Sequence, residues 1–79
     1  MTIDAVVVEE NLSQSNIYVA EHGGGKTYFK VWGGCQITKG DVIIGPLGRL
    51  GNQRIYNKTM EDDFLAAILI VREHEVNQQ

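Results

Sequence analysis

The chain has 79 residues, and its ten acidic and seven basic side chains give it a net charge of −3. This length predicts a single domain spanning residues 1–79. The one cysteine, Cys35, excludes an internal disulfide, and neither of the two histidines lies at metal-ligand spacing from it. We therefore expect no metal site and no cofactor.

Small size also limits the stability that a monomer can reach. A chain of this length buries about 60% of the surface that its unfolded form exposes. Such a monomer rarely holds more than about 3–5 kcal/mol of stability unless a metal, disulfides or association adds to it. Association is the remaining source of stability for this chain, so we expect a homo-oligomer.

The apolar segments are short. The longest one, residues 64–71, has eight residues, whereas a membrane helix needs about 20. The first residues also lack the basic start and the apolar core of a signal peptide. We expect a cytoplasmic protein with no membrane partner.

Segments rich in β-branched residues, separated by turn residues, predict an all-β fold. Five strands are expected at residues 2–10, 16–21, 26–32, 42–44 and 53–59. Short strands at this regular spacing are typical of a small antiparallel barrel or a strongly bent sheet of five or six strands.

The segment 64–72 is ambiguous, because the apolar run from Phe64 to Val71 contains no polar residue that would reveal a period. We predict a strand, whose length is that of a strand buried on both faces. A helix is the alternative, since three acidic residues precede the run and Arg72 follows it.

The sequence Gly25-Lys26-Thr27 follows two further glycines and is similar to part of a phosphate-binding loop. That loop requires a glycine at position 20, where this chain has Ala20, and it must open a helix. The alternating residues of a strand follow instead. We predict a hairpin turn at Gly23–Gly25 and no nucleotide site.

A three-residue hairpin loop at Gly23–Gly25 would sort the flanking side chains by face. Ile17, Val19, Phe29 and Val31 would form a core face, and aromatic and basic residues would lie on the outer face. In the fifth strand, an inward Ile55 would turn its two neighbours outward. The predicted ligand-binding residues are Tyr18, Lys26, Tyr28, Lys30, Trp32, Arg54 and Tyr56.

Charge is unevenly distributed along the chain. Residues 26–58 contain six basic side chains and one acid, and the segments on either side are acidic. One interpretation is that the acidic ends fold against the basic middle and neutralise it. The other is a basic face that attracts an anion.

Three interpretations of the aromatic and basic residues remain open. They stabilise an exposed sheet face, they stack bases and meet phosphates, or they form a protein interface. We predict a non-catalytic module that binds single-stranded nucleic acid or another polyanion, with a homo-oligomeric or protein-interaction domain as the alternative. No group of residues suits general acid–base catalysis, so we expect no enzyme.

The segment Ile37-Thr-Lys-Gly-Asp-Val-Ile-Ile-Gly45 resembles the tight turn and following strand of SH3-like and OB-like barrels. The resemblance covers nine residues and implies architecture only, because these folds carry many unrelated functions. The region between Gly33 and Lys39 is short for the helix of an OB-like module, which favours an SH3-like or irregular barrel.

Overall fold

The computed structural model describes residues 2–12, 14–32 and 36–73. They form six strands: β1 (Ile3–Leu12), β2 (Ile17–His22), β3 (Gly25–Val31), β4 (Val42–Gly45), β5 (Gly51–Asn57) and β6 (Asp62–Glu73). The described residues contain no helix. The all-β prediction is confirmed, and the segment 64–72 is a strand rather than the alternative helix. Cys35 and His74 lie outside the described residues.

The strands close into a barrel in the order β1–β2–β3–β6–β5–β4, and every neighbouring pair is antiparallel. Four of these pairs are consecutive in sequence. The other two, β1 with β4 and β3 with β6, join distant segments and give the barrel a Greek-key connection. Because the barrel closes, none of the described strands is a free sheet edge along its whole length.

Three aromatic rings occupy the barrel interior. The ring of Phe29 is fully buried, with its centre 5.8 Å from that of Tyr18 and 6.0 Å from that of Phe64. Since these residues lie on β3, β2 and β6, the rings connect three adjacent strands. The other buried apolar residues around them are Ala5, Val7, Ala20, Val31, Ile37, Ile43, Leu47, Ile55, Ala66 and Ile68.

The β2–β3 hairpin forms as predicted, but its register differs from the prediction. Tyr18 pairs with Phe29 and His22 with Gly25, so the loop consists of Gly23 and Gly24 alone. Two-residue loops are the commonest hairpin connections, and a change of one residue moves a whole strand's side chains to the opposite face. Tyr18 therefore points inward and is only 8% exposed. The prediction that it lies on the outer face is wrong.

Strand β6 is buried on one face only, whereas the sequence suggested burial on both. Ala66 and Ile68 point inward, and Leu65 and Ile70 are exposed outside. Ile68 pairs with Phe29 and Ile70 with Tyr28, so Leu69 is an extra residue in a β-bulge. The bulge reverses the alternation along β6, which places its even-numbered residues outside from Ile70 onward.

A buried polar contact fixes the turn that directly precedes β4. The side-chain amide of Asn57 donates a hydrogen bond of 2.9 Å to Asp41 Oδ2, and the backbone N–H of Thr38 donates one of 3.0 Å to the same oxygen. Gly40 completes the turn with φ +98°, a conformation that favours glycine. The segment that resembles small barrels thus forms a turn followed by strand β4.

Candidate functional site

Six of the seven predicted ligand-binding residues lie on one side of the barrel exterior. The list is Lys26, Tyr28 and Lys30 on β3, Trp32 directly after it, and Arg54 and Tyr56 on β5. On β3 they alternate with the buried residues that line the interior. Tyr18, the seventh, lies in the core. Whether the six bind a ligand stays a prediction.

Strand β6 runs between β3 and β5, which carry the predicted ligand-binding residues, and it adds outward residues that the sequence did not single out. Ile70 pairs with Tyr28, Ala67 with Lys30, and Leu65 with Arg54. Directly paired residues of antiparallel strands share a face. We define the β6 face as the outer surface of β3, β6 and β5, formed by Lys26, Tyr28, Lys30, Trp32, Asn52, Arg54, Tyr56, Asp63, Leu65, Ala67, Leu69, Ile70 and Arg72.

The centre of the β6 face is apolar. Leu65 is 48% exposed, and Leu69 and Ile70 are each 43% exposed. Trp32, beside Leu65, is 49% exposed. Single exposed apolar residues are ordinary, but a group of large ones on one surface is typical of an interaction site.

Trp32 is held by contacts to β6 and to β5. Its backbone N–H donates to the carbonyl oxygen of Leu65 at 3.1 Å, and its indole Nε1 donates to Asn52 Oδ1 at 3.4 Å. Asn52 lies on β5, on the far side of β6, so the indole ring crosses over β6. The small side chain of Ala67, which pairs with Asn52, leaves room for it. The ring is held in place while half of it faces solvent.

Two aromatic rings of the β6 face each have a cation above them. Lys30 Nζ lies 5.6 Å from the ring centre of Trp32, and Arg72 Cζ lies 5.9 Å from that of Tyr28. Such a contact contributes about 0.5–1 kcal/mol at an exposed site. These pairs bring Arg72, which the sequence did not single out, next to the predicted residues.

Cations outnumber acids on the β6 face. The cations are Lys26, Lys30, Arg54 and Arg72, and the acid is Asp63, whose Oδ2 lies 3.3 Å from Arg54 Nη1. In the described part of the chain, the other ion pair joins Lys58 to Asp4 at 3.6 Å. The acidic segments therefore neutralise part of the basic middle, and the β6 face keeps an excess of positive charge.

The opposite wall of the barrel carries an open cleft of about 500 Å³. Its polar lining residues are Asp4, Glu21 and His22. Asp4 is paired with Lys58, and a ring nitrogen of His22 lies 3.3 Å from Thr27 Oγ1. Within residues 2–12, 14–32 and 36–73, no group of three His, Cys, Asp or Glu side chains is placed to hold a metal ion.

Comparison of the chain with protein families, curated proteins and solved structures finds no match. In the part of the chain that the structure describes, no helix is long and apolar enough to cross a membrane. A function for this protein must therefore be argued from the geometry of its surface.

Proposed function

We propose that this chain is a non-catalytic binding module that docks a protein partner on the β6 face. The observation that carries the proposal is the exposed apolar row of Leu65, Leu69 and Ile70 at the centre of that face. Burying such a row against another protein removes apolar surface from water, which is favourable at about 25 cal/mol per Å².

The residues around the apolar row also suit a protein interface. Trp, Tyr and Arg are the residues that most often dominate binding energy, particularly in central positions. Trp32 is central and already held by Asn52, so its ordering on binding costs little side-chain entropy. Closure of the barrel supports docking through side chains rather than through addition of a strand to an edge.

A site-specific photocrosslinker tests the proposal in the cells that produce the protein. We expect p-benzoylphenylalanine in place of Leu69 to crosslink a discrete protein that mass spectrometry identifies. The same probe at Val6, which is 43% exposed on β1, is the matched control and should not crosslink it.

The variant Trp32→Ala should abolish the crosslink from position 69 while the protein remains folded by circular dichroism. Equal crosslinking from positions 69 and 6, or none from position 69, would contradict a docking role for the β6 face.

The second candidate ligand is single-stranded nucleic acid or another polyanion. The specific observation in its favour is the pair of cation–aromatic contacts, Lys30 with Trp32 and Arg72 with Tyr28, on a face with excess positive charge. Bases stack on aromatic rings while cations meet the phosphates. The aliphatic residues of β6 between β3 and β5 fit this ligand less well, because they offer neither a ring nor a charge.

Fluorescence anisotropy with short labelled oligonucleotides tests the second candidate. Tyr28→Ala should weaken binding by about 1–3 kcal/mol if it removes one stacked base. Lys30→Ala should reduce the slope of log affinity against log salt by about one unit. Lys39→Ala, at an exposed turn whose backbone is hydrogen-bonded to Glu10 of β1, is the control. Absence of any salt-sensitive binding would exclude this candidate.

We also place the protein in the cytoplasm, as its sequence suggests. Cell fractionation with an antibody to the protein checks this, and recovery in a secreted or membrane fraction would overturn it.

A further inference from the structure

We infer that the partner of the β6 face is a second copy of this chain, docked antiparallel across β6. The inference rests on the proposed function, since it concerns the same surface. It goes further because it names the partner and the orientation in which the partner docks.

The outward residues of β6 form a row centred on Ala67. Apolar residues lie on both sides of Ala67, and opposite charges lie at the two ends of the row. Asp63 and Leu65 lie four and two positions before Ala67. After Ala67, the bulge at Leu69 absorbs one residue, so Ile70 and Arg72 stand at the equivalent of two and four positions. Apart from the exposed bulge residue Leu69, which has no counterpart before Ala67, the row reads acid, apolar, small, apolar, base. Its charged ends lie about 13 Å from the centre, at about 3.3 Å per residue.

When two β6 faces are placed against each other, a two-fold axis can lie in the plane between them, at right angles to β6 and passing by Ala67. This axis makes the row complementary to the same row of the second copy. It brings Asp63 of one copy to the partner's Arg72 and Leu65 to the partner's Ile70. A two-fold axis parallel to β6 would instead place Asp63 on Asp63 and Arg72 on Arg72. Like charges placed opposite each other suppress association, so charge complementarity selects the antiparallel arrangement.

The flanking strand β3 adds an aromatic contact in the same arrangement. The chosen axis places β3 over the partner's β3 with its direction reversed. The ring of Trp32, which crosses β6 to reach Asn52, lies near the axis at Ala67 and then approaches the partner's Trp32. Aromatic pairs contribute beyond the area that they bury, and central aromatic anchors dominate many interfaces. Because the two residues are equivalent, this contact lies close to the two-fold axis and occurs once.

One residue opposes the arrangement and thereby provides a discriminating test. Lys30 pairs with Ala67, so it lies near the axis and approaches the partner's Lys30. Lys30→Gln removes this repulsion and should strengthen self-association. The same substitution should weaken binding of a polyanion. Its effect therefore distinguishes a second copy of the chain from nucleic acid as the ligand of the β6 face.

Sedimentation equilibrium across a range of concentrations measures the association directly. We expect the mass to rise toward twice the 8.8 kDa of the chain. Leu65→Ser should weaken the dimer about tenfold or more, because it removes an apolar contact at two symmetric positions. Val6→Ser, which changes a similarly exposed aliphatic residue on β1, should leave the mass unchanged.

Charge complementation tests the orientation. Asp63→Lys alone and Arg72→Glu alone should each weaken self-association, since each places like charges together. A mixture of the two variants should restore the dimer. In the mixed complex, the native Asp63 of one copy meets the native Arg72 of the other, and the introduced lysine meets the introduced glutamate at the opposite end. Circular dichroism establishes that each variant is folded.

Nuclear magnetic resonance of the unmodified chain provides a test that needs no substitution. Dilution should shift amide signals of β6 and β3 and leave those of β1 unchanged. A mass of 8.8 kDa at every concentration, or dilution shifts confined to β1, would overturn the inference. If the chain is monomeric but position 69 still crosslinks a different protein, the proposed function holds and only the second copy is wrong.

Discussion

Phe29 illustrates how single residues hold this barrel together. Its ring lies between those of Tyr18 and Phe64, and the three residues belong to adjacent strands. Removal of any of these rings leaves a cavity that touches more than one strand. The neighbouring residue Tyr28 points the other way and meets Arg72 at the surface.

Tyr18 and Tyr28 should therefore differ sharply when each is replaced by alanine. Tyr18→Ala creates a core cavity and should lower the free energy of unfolding by about 3–5 kcal/mol, as for other large aromatic residues. Tyr28→Ala removes a half-buried outer ring and should cost about 1 kcal/mol. Urea denaturation measures both values, and a larger loss for Tyr28→Ala would show that the observed hairpin register is wrong.

At the scale of elements, β6 joins the outward residues of β3 to those of β5 on the β6 face. It pairs with β3 on one side and with β5 on the other, and its pairing with β3 joins the later strands of the barrel to the earlier ones. Its inner side chains fill the core, and its outer side chains form the apolar centre of the face. The bulge at Leu69 lets one strand present Leu65 and Arg72 on the same side.

Ile68 and Ile70 provide a matched pair on this strand. Ile68 is 3% exposed and Ile70 is 43% exposed. Ile68→Ala should destabilise the protein by about 2–5 kcal/mol, and Ile70→Ala should cost about 1 kcal/mol or less in the monomer. Thermal or urea unfolding, carried out at a protein concentration too low for dimers to form, measures the loss of unfolding free energy for each variant. Equal losses would mean that both faces of β6 are buried.

At the scale of the whole molecule, the barrel has a weak seam between β4 and β5. Their paired residues are Ile43 with Asn57 and Ile44 with Tyr56, and the backbone N–H of Lys58 donates to the carbonyl oxygen of Val42 at 2.7 Å. Strands β3 and β6, in contrast, pair along the whole of β3. Strand β4 is also the shortest strand. Regions with few backbone hydrogen bonds and little buried surface open first in native proteins.

Native-state hydrogen exchange should reveal this order of opening. We expect amides of β4 to exchange at a lower free energy than those of β3 and of β6 from Ala66 to Ile68. Asn57→Ala should lower protection of β4 further, because it removes the hydrogen bond to Asp41. Uniform protection around the barrel would contradict a seam at β4–β5.

The sequence by itself determined the all-β class and the alternation along β3 and β5, and it favoured a strand over a helix for the segment 64–72. These features follow from β-branched residues, turn residues and a period of two, which act over a few neighbouring positions. The same local pattern placed Lys26, Tyr28, Lys30, Arg54 and Tyr56 on outward positions.

Only the tertiary structure decided the rest. The length of the glycine loop fixed the face of Tyr18, because three consecutive glycines allow either an even or an odd loop. The uniformly apolar run of β6 hid both its exposed side and its bulge, since without polar residues the period of a strand cannot be read. The joining of β3 and β5 through β6 depends on barrel closure, which pairs residues such as Tyr28 and Ile70 that lie far apart in the chain.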